Sequence, residues 1–254
     1  MIKFPRHHAG FFSCCSLRLH AIVDFVNSHK TLPDVVDSSE YYQMYSKDNT
    51  DVTFDYFKHY DTCHVSILHP ILYSESYQFT PYSQLQHNAI TPLIEKYFSP
   101  SDRVNETVKT LEEKYNIDYE NTVAIYYRGT DKYFETQLAS FDDFYRQIVN
   151  TITTYPKIRL LIQTDSMPFL EYIKDKNLNI LVIDENRTSS TNTGIHHAQS
   201  TQTNHEDMFQ FLSTVLIISK CKHIICSSGN CSIWMILYRG HVQNIQQYLN
   251  GTWY

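Results

Sequence analysis

The stretch AIYYRGTDKYFE, residues 124–135, joins a run fit for a buried strand to five charged or flexible residues: Arg128, Gly129, Asp131, Lys132 and Glu135. Aromatic and aliphatic side chains in succession suit a pleated, packed segment. The abrupt change after Tyr127 leaves two readings, a solvated strand end or a strand that delivers charge to a site. The segments that follow repeat the pattern. TVAIYY (122–127) reads as a strand, and Ser140 then opens a helix with Phe141, Phe144, Ile148 and Ile152 on one face and Asp143 completing a capping box. IRLLIQ (158–163) is a second strand ending in Thr164, Asp165 and Ser166, and MPFLEYIKDK (167–176) is a helix with Pro168 in its tolerant first turn. NILVI (179–183) is a third strand. A polar, unpatterned segment covers 184–204, long enough to suggest a functional or mobile loop. An apolar helix from His205 to Cys221, a strand KHIIC (222–226), a turn SSGN (227–230) and a helix CSIWMILYR (231–239) complete the series. Strands alternating with helices of this size predict right-handed βαβ units and a parallel, doubly wound sheet.

Upstream the pattern is less regular. GFFSCCSLRLHAIVDFVN (10–27) predicts a turn and a helix with Leu17, Ile22 and Phe25 on its apolar face. PDVVDSSEYYQMY (33–45) and CHVSILHPILY (63–73) carry candidate strands. Residues 99–116 predict a helix capped by Ser101, with Val104, Val108, Leu111 and Tyr115 in one stripe. A boundary between 98 and 118 would divide the chain into two α/β halves.

The 254 residues, 42% hydrophobic and 19% charged, describe a globular chain. A net charge of −6 argues against a nucleic-acid partner. Cys14, Cys15, Cys63, Cys221, Cys226 and Cys231 form no CxxC pair and read as small buried hydrophobes in a reducing compartment. No apolar leader opens the chain, and no window approaches the roughly 20 apolar residues of a membrane span. A soluble, cytoplasmic protein without a transmembrane segment is expected. His196, His197 and His205 lack fixed helical spacing, and no metal site is expected from them.

In an open parallel sheet, ligands bind beyond the carboxyl ends of the strands. Three strand ends there supply Arg128-Gly129-Thr130-Asp131-Lys132, Thr164-Asp165-Ser166, and Ser227-Ser228-Gly229-Asn230 at the start of a helix, whose free N–H groups favour anions. Each part has an ordinary reading: Arg128 in a surface ion pair, SSGN as a turn and cap, Asp165 as a helix cap. Neither a Walker motif nor GxGxxG is present. Together the three ends point to an anionic ligand, nucleotide-linked in character.

YYRGTDK (126–132) resembles the H-x-R-R-T-D-K segment of the α1,6-fucosyltransferases of the core-glycan and nodulation types, and the H-x-R-x-x-D element of α1,2- and protein O-fucosyltransferases. LLIQTDSMPFLEYIK (160–174) and LIISKCKHIICSSGNCSIWMILY (216–238) resemble two further segments of that superfamily, in the same order. The chain looks most like short viral and microbial relatives carrying YRGTDK. The resemblance implies a GT-B-like α/β fold of two Rossmann-like, doubly wound domains in compact form. Residues 1–115 would form the acceptor side and 116–254 the nucleotide-sugar-binding domain. It implies an inverting, metal-independent glycosyltransferase that transfers fucose from GDP-fucose, needs no cofactor, and acts on a glycan or glycoprotein hydroxyl.

By the same resemblance, Arg128 would bind the leaving diphosphate, a role suited to its fork of donors. Gly129 would permit close backbone approach, and Asp131 and Lys132 would organise the pocket. Tyr126, Asp165, Ser228 and Asn230 would complete the donor site. Glu135 is the candidate base, with Lys132 and Arg128 as its catalytic neighbours. The chain departs from the family in four places: Tyr126 replaces a histidine, Gly129 a second arginine, Glu135 lies one residue early, and Thr214 stands where an aspartate would read the base. Glu206 and Asp207 read either as carboxylates at a helix start or as contacts to ribose or base. Alternative readings are a catalytically inactive nucleotide-sugar- or glycan-binding member of the fold, a transferase using another nucleotide deoxysugar, and a phosphate-handling α/β enzyme unrelated to sugars.

Overall fold

The computed structural model describes residues 1–46, 50–58 and 70–254. In chain order its elements begin with β1 (Ile2–Lys3), α1 (Phe11–His29), β2 (Val36–Asp37), α2 (Thr53–Tyr56) and β3 (Phe57–Lys58). Next come α3 (His87–Tyr97), β4 (Ser99–Pro100), α4 (Asp102–Tyr115), β5 (Thr122–Tyr127), α5 (Phe141–Thr154) and β6 (Arg159–Thr164). The series ends with α6 (Met167–Lys174), β7 (Ile180–Val182), α7 (Thr201–Lys220), β8 (His223–Ser227), α8 (Asn230–Arg239), β9 (Ile245–Leu249) and β10 (Thr252–Trp253).

The central sheet has six strands in the order β10-β9-β8-β5-β6-β7. All neighbours are parallel except β10, which runs antiparallel to β9. Every residue of β5 is buried, which explains its continuous apolar run, since a strand covered on both faces has no solvent side. Val123, Ile125 and Tyr127 pack with Phe144 and Ile148 of α5 and Phe169 of α6 on one face. Ala124 and Tyr126 join the other core, with α7 and α8. Helix α5 carries the expected capping box of Ser140 and Asp143.

Residues 1–115 build the outer layer on that second face. Helix α4 packs on α7, and α1 and α3 pack on α8. Their aromatic side chains converge on Trp234, with Phe98 at 4.7 Å and Phe12 at 6.1 Å between ring centroids. Arg18 is fully buried yet satisfied: it donates to Ser38 Oγ and the Tyr97 carbonyl, with its guanidinium 4.8 Å from the Phe98 ring centroid. The expectation of a second doubly wound sheet in this half is therefore corrected among the described residues. Its strands are two-residue ladders, β1 with β2 and β3 with β4. Its apolar runs fall at helical spacing and are buried against an existing sheet. Of the candidate strands, 33–45 yields only β2, and residues 63–69 lie outside the described residues, as does Cys63. The five described cysteines are unpaired thiols. Among the described residues no helix is long and apolar enough to cross a membrane.

One helix start and one strand differ most from the sequence reading. Helix α7 starts at Thr201, capped by Ser200, because the polar residues 201–204 form its first turn. Strand β9 lacks an alternating pattern because its Gln247 is buried and hydrogen-bonded through its amide, donating to the Thr80 carbonyl and Ser228 Oγ and accepting from the Tyr82 N–H.

Candidate functional site

Register decides which residues meet. Tyr127 of β5 pairs with Thr164 of β6, and Tyr126 pairs with Cys226 of β8. The next residues along, Arg128, Asp165 and Ser227-Ser228, therefore emerge level at one edge. From β5 the chain moves outward through β6 and β7, then returns across the sheet to β8. The β5/β8 crevice is thus the topological switch point, where such sheets bind ligands. A cavity of about 460 Å3 opens there.

Arg128 is fixed at both ends. Its backbone N–H donates to Ser227 Oγ at 3.3 Å, across the switch point. Its guanidinium binds Asp131 Oδ1 at 2.5 Å and also pairs with Thr130 and Asp165. Asp165 is fully used within this cluster, accepting from the Gly129 N–H at 2.7 Å and from Thr130 Oγ1 at 2.6 Å. A carboxylate so engaged orients the arginine and does not itself present to an anion. A guanidinium has five N–H donors, more than these partners use, and Arg128 lines the cavity. Burial opposes the charge on Asp131, but Arg128 beside it, together with hydrogen bonds from the backbone and Thr130, holds its pKa below the ordinary value.

Gly129 does not line the cavity. A Cβ on it would meet Ser166 Cβ at 2.7 Å, so glycine here allows β5 to close on the β6–α6 turn. Ser166, and not Asp165, caps α6.

Lys132 is buried, and its ammonium contacts Glu135 Oε2 at 2.6 Å and Gln78 Oε1 at 3.2 Å. Its stem lies against Gly229, where a Cβ would come within 3.0 Å of Lys132 Cε. Gly229 also has φ +151, a backbone state that side chains disfavour. Lysine and glycine thus bind the end of β5 to the start of α8.

Ser228 and Asn230 line the cavity, but their side chains also serve the fold. The Ser228 hydroxyl donates to the Tyr248 carbonyl at 2.8 Å. Asn230 Oδ1 accepts from Ser16 Oγ at 2.8 Å, and Ser16 Oγ accepts from Trp234 Nε1 at 3.0 Å. What these residues offer a ligand is the first turn of α8, whose N–H groups lack intrahelical acceptors. Tyr126 is buried at the cavity wall next to Cys231, and burial pushes its phenol well above the ordinary value.

Several lining residues carry no local sequence signal. The start of α1, Gly10 to Ser13, forms one wall. Among the described α-helices, α1 and α8 are the two that open on glycine, with no side-chain cap and no acid in the first turn. The helices α4 to α7 are each capped by a serine. His196 lines the cavity as a neutral imidazole: burial, then His197 and Arg128, lower its pKa to about 4. Asp207 pairs with Arg187 at 2.9 Å at the same cavity, and Glu206 pairs with Arg103 on the surface. Neither lies in the first turn of α7, which corrects the reading of them as helix-start carboxylates. Among the described residues, no group of three or more His, Cys, Asp or Glu side chains is arranged to hold a metal ion.

No protein-family model matches the chain, and no curated protein matches it by sequence. Among solved structures it is similar to NodZ alpha-1,6-fucosyltransferase co-crystallized with GDP, at 12% identity and a TM-score of 0.46, over 65% of this chain and 50% of that one. Fucosyltransferase NodZ from Bradyrhizobium gives 11% identity and a TM-score of 0.46, over 67% and 51% of the two chains. A variant of Arabidopsis thaliana FUT1 in complex with GDP gives 12% and 0.39, over 62% and 35%. The matches span about half the length of the NodZ chains.

Proposed function

We propose that this chain is a glycosyltransferase of the fucosyltransferase type, using GDP-fucose as donor, with inversion and without a metal. One observation carries the reading. Arg128, Lys132 and two uncapped, glycine-opened helix starts, those of α1 and α8, meet in one cavity at the switch point of the sheet. Each helix start presents about half a positive charge, and two such ends with two cations suit a pair of adjacent phosphates. The YYRGTDK segment supports guanosine diphosphate and fucose as the particular donor. Residues 116–254 hold the donor in this reading, and residues 1–115 close the cavity through α1 and Gln78 and face the acceptor.

In the reaction, the acceptor hydroxyl oxygen bonds to C1 of the sugar as the C1–O bond to the β-phosphate breaks. The electron pair leaves with the diphosphate, where Arg128, Lys132 and the first turn of α8 meet the charge. The hydroxyl proton passes to Glu135, half-exposed beside Lys132. Attack opposite the leaving group inverts the centre.

Calorimetric titration with GDP, with UDP as control, tests the donor: tight GDP binding without a UDP response supports it, and binding of neither overturns it. Glu135→Gln is expected to slow GDP-fucose turnover by about 100-fold or more while GDP affinity stays the same. Full turnover in that variant would remove Glu135 as the base.

A further inference from the structure

The polar segment between β7 and α7 returns to the cavity at residues 194–197. Gly194 is buried against Asp131: a Cβ there would meet Asp131 Oδ2 at 2.6 Å and His196 Cε1 at 3.1 Å. Only glycine lets the backbone lie that close to the carboxylate. On its other side the His196 ring faces the start of α1, where a Cβ on Gly10 would lie 3.6 Å from Cε1 and 4.0 Å from Nε2. The ring thus sits between two glycines, one packed on Asp131 and the other opening α1. Its backbone is fixed from α7. The buried Asn204 amide donates to the His196 carbonyl at 2.8 Å and to the Met44 carbonyl at 3.2 Å. Among the described residues neither ring nitrogen of His196 has a hydrogen-bond partner, and the ring lines the same cavity as Arg128. A side chain so positioned, with its polar atoms unused, is available to a ligand.

We propose that His196 is a further ligand of the donor diphosphate and that its imidazole takes up a proton as the phosphates bind, so that the cavity gains a cation only when it is occupied. This rests on the reading of the cavity as a nucleotide-diphosphate site. In the empty cavity burial, then His197 and Arg128, hold the ring at a pKa of about 4, against an opposing pull from Asp131. Lys132, Glu135, Glu185, Arg187 and Asp207 also line the cavity and are not among the groups that set the ring's charge. Gly10 and Asn204, which meet the turn from α1 and α7, carry none. Two phosphates change the balance. Their charges offset Arg128 and attract an imidazolium directly, and a protonated ring donates from both nitrogens in charge-assisted bonds. Binding therefore raises the ring's pKa, and the added affinity is present below the bound value and lost as pH rises through it. A bound ring restored to the ordinary 6.5 gives affinity that rises about tenfold between about pH 7.5 and about pH 5.5, levelling off near the free value. The same linkage gives nearly one proton taken up per donor at about pH 5.5 and about a tenth of one at about pH 7.5.

The test is calorimetric titration of the full chain with GDP-fucose at both pH values, each in two buffers of different ionisation enthalpy, with UDP-glucose as a second probe. Both probes are diphosphate diesters and lack the second ionisation near pH 6 of a terminal phosphate. Their charge is constant over this range, so a proton taken up on binding enters the protein. The wild-type chain is expected to show the tenfold gain and the proton uptake. His196→Gln is expected to lose both, and His197→Gln to keep both. A purely structural role for His196 would instead change affinity equally at the two pH values and leave the uptake intact. That pattern, or wild-type affinity independent of pH, overturns His196 as a ligand while GDP-fucose binding keeps the donor reading. Binding of UDP-glucose alone overturns the GDP donor, and the proton count with that probe then decides His196. Binding of neither probe overturns both.

Discussion

Arg128→Ala is expected to weaken GDP binding by about 2–4 kcal/mol, roughly thirty- to several-hundred-fold. The loss has two parts. In the proposed complex the diphosphate forfeits its charged donors, and the carboxylates of Asp131 and Asp165 remain nearby without the cation that now balances them. Repulsion is added to a missing attraction, so the effect exceeds that of one hydrogen bond. Arg128→Lys is expected to recover only part of it, since an ammonium cannot span both carboxylates and also reach a ligand. Calorimetry on folded variants gives the result. Wild-type affinity in Arg128→Ala would place the diphosphate elsewhere.

The second large effect is on stability. Asp165→Ala is expected to destabilise the fold by about 3–5 kcal/mol, the cost of removing one partner from a buried ion pair. The Asp165 carboxylate is nearly enclosed and holds the Gly129 N–H, the Thr130 hydroxyl and the Arg128 guanidinium together. Deleting it leaves the buried Gly129 N–H without its acceptor and takes one partner each from Thr130 and Arg128, which keep Asp131. Asp165→Asn is expected to cost less, because its carbonyl oxygen still accepts from Gly129. Urea denaturation measures both. A loss below about 1 kcal/mol in Asp165→Ala, the range of an exposed pair, would show that the cluster is more solvated than its geometry indicates.

The contrast between these variants shows what the sequence carried. Strands β5, β6 and β8 and their following helices were legible because each buried run ends in a sharp polar break, and register then places the breaks side by side. The identity of the cluster, from Arg128 to Glu135, was visible for the same reason. Orientation was not. Asp165 and Gly129 serve the turn that aims Arg128, and the Ser228 hydroxyl faces β9, distinctions that depend on which partner each atom meets. The opposite wall of the cavity was hidden more deeply. Ser16 and Asn230 touch across a separation of 214 residues, and no local pattern encodes such a contact. Helix α3 escaped because Pro92, a residue that disfavours helix interiors, lies within it. A second sheet was expected from the resemblance, while the apolar residues of 1–115 are spent covering the first.

The Ser16 bridge between α1 and α8 has a consequence for the order of events during synthesis. Helix α1 is made early, and its partner is not available until the ribosome has released Arg239. Until then one wall of the cavity exists without the other, and a nucleotide has nothing complete to grip. The proposed donor would therefore not act as a scaffold for the nascent chain. It would meet a cavity whose two walls have already been joined by Trp234, Ser16 and Asn230, with their ordering entropy settled beforehand by the core.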